Sequence, residues 1–172
     1  MDQLFGLPAH PLVVHLPVVL LPLAAIGAIA TVIRPSWYLR YRWLVVAVAG
    51  VGMLGAVLAA SSGEELEHEV ARSASDAARR AIHDHAEAGD VARTMSIVFF
   101  VVILAYALVP WWLARRDDGD SDGEGSSGAP AWLRPVLAVA VVLASLGTVW
   151  TVIDAGHSGA DSVWSELDEG SG

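Results

Sequence analysis

The chain has 172 residues, 55% of them hydrophobic, with a formal net charge of −9 and no cysteine. The missing cysteines exclude disulfides, iron–sulfur clusters and thiolate-held metals, and the acidic balance excludes a nucleic-acid footprint. Several apolar runs approach the roughly 20 residues that cross a bilayer as helix, so the sequence predicts an integral membrane protein.

Met1 to Leu7 carries Asp2 and no basic residue, so it does not read as a cleavable signal, and the first apolar run is expected to be a retained span. That span covers about residues 12–33. Pro8 and Pro11 suit a helix start, whereas Pro17 and Pro22 inside it release the carbonyls of Val13 and Val18 and predict a bend. His10 stands just outside the span, and His15 about one turn within it, where a polar group needs a partner.

Arg34, Arg40 and Arg42 separate the first span from the second, at about 43–61. Gly50, Gly52 and Gly55, followed by Ala56, Ala59 and Ala60, give this span a surface of small residues that admits another helix or a flat ligand. Ser62-Gly63-Glu64-Glu65 then has the pattern of a capping box that starts a new helix. In the outer segment 63–92, Leu66, Val70, Ala74, Ala77, Ala81 and His85 recur at helical spacing, so one continuous helix turns His85 inward and His68 and His83 toward water. Ser73 to Asp76 offers an alternative break into two helices.

Gly89-Asp90 reads as a helix stop and a new cap before the third span, at about 93–114. Residues 117–130 are rich in Asp, Gly and Ser and predict a flexible solvated linker. The fourth span runs over about 132–155, followed by Gly156-His157-Ser158-Gly159 and a tail from Leu167 that is expected to be disordered. Trp37, Tyr38, Trp43, Trp111, Trp112 and Trp132 form an interfacial belt beside the arginines. Arginine-rich short loops stay cytoplasmic, which predicts both termini outside. The predicted architecture is one all-α domain over 1–172, a four-helix transmembrane bundle with an extracytoplasmic helical lid between helices 2 and 3.

All six histidines, His10, His15, His68, His83, His85 and His157, fall at or beyond the same predicted end. Imidazole is the commonest ligand for haem and borderline metals. Glu65-Leu66-Glu67-His68 has the spacing of a di-iron helix, but its second copy is missing and Glu65 already serves as a cap. No Gly-x-Ser-x-Gly, phosphate loop or dinucleotide fingerprint occurs, so the chain does not read as an enzyme by itself. Mid-span charges of the kind ion pumps use are absent too.

The segments Gly6 to Pro17, Ser62 to Leu66, His85 to Gly89 and Gly156 to Trp164 together resemble a bacterial four-helix membrane family, domain of unknown function 2231. The resemblance implies a multi-pass inner-membrane protein with recurring histidines at His10, His15, His85 and His157, and in some relatives an association with redox modules. Three functions stay open. The first is b-type haem held by two of His15, His85 and His157, with His10 nearby, for electron transfer with a redox protein. The second is zinc, copper or iron held by the same histidines, with Glu65 and His68 as weaker ligands. The third is a non-catalytic scaffold in the lipid bilayer, alone or as a homo-oligomer.

Overall fold

A computed structural model describes residues 3–4, 7–8, 13–70, 75–117 and 130–169, with side chains for 13–64, 75–76, 78–113, 115 and 130–161. A two-residue antiparallel ladder, β1 (Gln3–Leu4) with β2 (Leu7–Pro8), precedes four helices. These are α1 (His15–Ile33), α2 (Pro35–Val70), α3 (Asp76–Asp117) and α4 (Leu133–Glu169). Each contains a stretch long and apolar enough to cross a membrane. Consecutive helices pack together and α1 closes the ring against α4, so the fold is an all-α four-helix bundle.

The core is built from small side chains. Ala24, Ala25 and Ala28 of α1 and Ala49 and Ala56 of α2 bring backbones close, and Leu21, Phe99, Ile103 and Val141 fill what remains. Between membrane helices this close packing replaces the hydrophobic drive, because lipid is as apolar as the core. The outer faces match that environment, since large apolar side chains ring the bundle and even Trp150, mid-helix in α4, is 72% exposed.

Buried hydroxyls find backbone partners. Thr148 donates to the Met95 carbonyl at 3.2 Å, tying α4 to α3, while Ser96 and Thr31 donate within their own helices to Arg93 and Ala28 at 2.7 Å. A backbone group left unmatched inside a bilayer costs several kcal/mol, so Pro110 inside α3 demands compensation. It comes from Tyr38 of α2, whose hydroxyl donates to the Tyr106 carbonyl at 3.0 Å.

Several sequence expectations change. α1 begins at His15, so Pro17 sits in the first turn, where a missing N–H costs nothing, and only Pro22 lies in the helix interior. Ser62 is not a cap: α2 runs straight through it, and its hydroxyl donates to the Ala59 carbonyl at 3.0 Å. Gly89 likewise does not stop α3, because a single glycine costs about 1 kcal/mol, too little to end a long helix. The outer segment is therefore helical but made from the ends of α2 and α3. α2 is described to Val70 and α3 begins at Asp76, where Ser75 caps it by accepting the Ala78 N–H at 3.2 Å; Ser73 and Ala74 of the expected break lie outside the described residues. α4 also continues past Gly156 and His157 and past Leu167 to Glu169. The linker expected at 117–130 lies mostly outside the described residues, which resume at Pro130.

At about 1.5 Å per residue, the 42 residues of α3 measure about 63 Å and the 37 of α4 about 56 Å, roughly twice the hydrocarbon core. The surplus projects at the histidine end. At the opposite, arginine end, Arg34 alone separates α1 from α2 in an extended conformation, as the residue before Pro35 must be.

Candidate functional site at the histidine end

His85 is the one imidazole of the described set that is drawn into the bundle. Half-buried on α3, its Nδ1 lies 3.1 Å from the Ser158 hydroxyl of α4. That hydroxyl donates its single proton to the Ala155 carbonyl at 3.0 Å. With that proton on Ala155, the Ser158 oxygen accepts from the imidazole Nδ1–H. The ring lies against Gly159, where a Cβ would come within 2.9 Å of Cε1. Gly159 thus provides the seat, and Ser158 the polar contact.

The other histidines are placed differently. His15 opens α1 and is exposed, as are His83 on α3 and His157 on α4. His68 and Glu65 fall on the α2 backbone with side chains outside the described residues, and His10 lies outside them altogether.

Helix register gives the levels. Gly55 meets Leu16 and Pro17 beside His15, while Gly50 meets Phe100, so the antiparallel helices set Gly55 opposite Met95. His85 stands ten residues beyond Met95, which places it about 15 Å further out than His15. His157 is level with His85, because Thr148 is bonded to Met95, but nine residues from Thr148 is about two and a half turns and turns it to the opposite side of α4. The structure joins His85 to Ser158 and Gly159 and sends His15 and His157 elsewhere. Among the described residues, no three histidines or carboxylates group as metal ligands.

The small-residue surface of α2 is filled by protein. A Cβ at Gly55 would lie 2.7 Å from Leu16 Cβ, one at Gly52 2.9 Å from Leu21 Cδ2, and one at Gly50 3.1 Å from the Phe100 ring. Glycine there serves helix packing. Below the His85 level, Arg93 bridges Glu64 of α2 at 3.3 Å and Asp90 of its own helix at 3.1 Å. Sequence reasoning missed this bridge, because nothing in the local pattern of α2 or α3 indicates which of many acidic residues comes opposite Arg93. It also read Ser158 and Gly159 as a helix end, although their helical phase relative to Thr148 already pointed them toward α3.

Fold and site together define a multi-pass four-helix membrane protein. Residues 6–167 match the family described as predicted membrane protein DUF2231, and the chain belongs to it. No curated protein and no solved structure matches the chain.

Proposed function

We propose that this protein is a non-catalytic membrane module that holds a helical platform beyond the bilayer, with His85 as the pin between its two longest helices. The reading rests on the seat of His85, whose ring lies on Gly159 and whose Nδ1 hydrogen is given to Ser158. Interhelical hydrogen bonds of this kind contribute about 1 kcal/mol between membrane helices. Two axial imidazoles of one haem must face each other across a single iron, a demand at odds with the levels and directions of His15, His85 and His157. By the arginine rule, the platform faces outward from a bacterial inner membrane and the Arg34–Arg42 end faces the cytoplasm.

A second reading is favoured by the Ser158 contact. A hydroxyl at Nδ1 orients the imidazole, as hydrogen-bond partners do for metal-bound histidines. His85 would then be one ligand of b-type haem, or of zinc, copper or iron, with a further ligand from another molecule. Bound there, haem would supply electron transfer with a redox protein, whereas zinc, copper or iron would serve metal handling or sensing.

One experiment separates the two. Protein purified in detergent from haem- and metal-replete cells is measured for visible absorption, metal content and thermal midpoint, alongside His85→Ala, His15→Ala and His157→Ala. The module reading expects no Soret band, no stoichiometric metal and a midpoint lowered by His85→Ala alone. A Soret band or one equivalent of metal that disappears with His85→Ala overturns it in favour of the ligand reading.

A further inference from the structure

We infer that the arginine end holds a binding site for a phosphate-bearing anion, centred on Arg42 and suited to the headgroup of an anionic phospholipid. Arg42 lies on the inward side of α2, in phase with the buried Val45 and Ala49, and is half-buried. Its Nε is shielded from solvent and has no hydrogen-bond acceptor. The guanidinium instead lies 5.3 Å from the Tyr38 ring and 5.6 Å from the Trp43 ring. Aromatic faces stabilise a cation but accept no N–H in the guanidinium plane.

Among the described residues, no carboxylate is paired with this charge. Residues 34–43 contain three arginines and no carboxylate. The ion pairs of Arg93 lie at the other end of the molecule. A buried Nε–H left without an acceptor is costly, and an anion offering two coplanar oxygens suits a guanidinium edge best. Phosphate has that geometry.

The surroundings favour a lipid source. Leu39, one turn from Arg42, is 73% exposed, and Trp37 and Trp43 are exposed beside it, so acyl chains have an apolar surface next to the charge. Arg34 stacks over Trp37 and Arg40 over Tyr41, at 5.0 and 5.6 Å, keeping two further cations at the same rim. An arginine near a membrane surface contributes about 1 kcal/mol to anionic-lipid attraction, which corresponds to roughly fivefold in affinity.

The test uses native mass spectrometry of the full chain, titrated separately with phosphatidylglycerol, phosphatidylcholine and inorganic phosphate. Expected is a preference for phosphatidylglycerol over phosphatidylcholine that falls roughly fivefold in Arg42→Gln and persists in Arg115→Gln, a control at the same end. Arg42→Met keeps the apolar stem and guards against a folding failure; it should behave as Arg42→Gln does. Binding of inorganic phosphate that depends on Arg42 upholds the anion site and assigns its source to solution. Equal retention by Arg42→Gln and the wild type overturns the proposal, as does an equal loss in Arg115→Gln. It is also overturned if a preference appears only after Asp118, Asp120, Asp122 and Glu124 are neutralised together, because the chain's own acidic segment would then be the partner.

Discussion

The Tyr38 hydroxyl of α2 donates, at 3.0 Å, to the Tyr106 carbonyl of α3, the group that Pro110 deprives of its helical donor four residues on. The Ala107 carbonyl lies 3.2 Å from the same oxygen, and the two tyrosine rings meet edge to face at 5.0 Å. A fault in one helix is thus repaired by a side chain from its neighbour.

Tyr38→Phe should lower the thermal midpoint in detergent, by an amount equivalent to about 1 kcal/mol, the net contribution of one hydrogen bond. In a Pro110→Ala background the restored N–H supplies Tyr106 from within α3, so the same change should cost less. A double-mutant cycle with no coupling would show that Tyr38 acts only through ring packing.

Gly159→Ala places a methyl 2.9 Å from His85 Cε1 and should unseat the imidazole, lowering the midpoint as His85→Ala does. Gly156, three residues earlier, has open space where its Cβ would stand. Gly156→Ala should instead leave the midpoint unchanged or raise it, by up to about 1 kcal/mol of helix propensity.

At the α1–α2 contact, Gly55→Ala sets a methyl 2.7 Å from Leu16 Cβ and 3.0 Å from Pro17 Cδ, atoms near the backbone that have little freedom to move. The expected loss is about 1–3 kcal/mol, the usual cost of overpacking. Gly50→Ala meets the Phe100 ring at 3.1 Å and should cost less, since a ring edge shifts more easily. Comparing the two midpoints checks the order.

Ser145 is fully buried and its hydroxyl has no partner. Ser145→Ala removes a polar atom without breaking a bond and should leave stability unchanged or raise it. By contrast Thr148→Val breaks the bond to the Met95 carbonyl and should lower the midpoint by about 0.5–1 kcal/mol, the range seen between membrane helices.

Composition and apolar run lengths were enough to set the membrane class, the four spans and their helical nature, because apolar runs of about 20 residues cross a bilayer as helices, which satisfy their backbone internally. The half-buried His85 and exposed His83 agree with a phase argument that assumed one continuous helix, whereas α2 is described to Val70 and a separate α3 starts at Asp76. Helix ends were not legible: Ser62, Gly89 and Gly156 have the chemistry of boundaries, yet α2, α3 and α4 run straight through them, since a lone glycine costs a long helix only about 1 kcal/mol. The partners of His85, Tyr38 and Arg93 were equally hidden. They depend on the axial register between helices, which is fixed where Gly50 meets Phe100 and Gly55 meets Leu16, and close contacts of that kind exist only once the bundle has assembled.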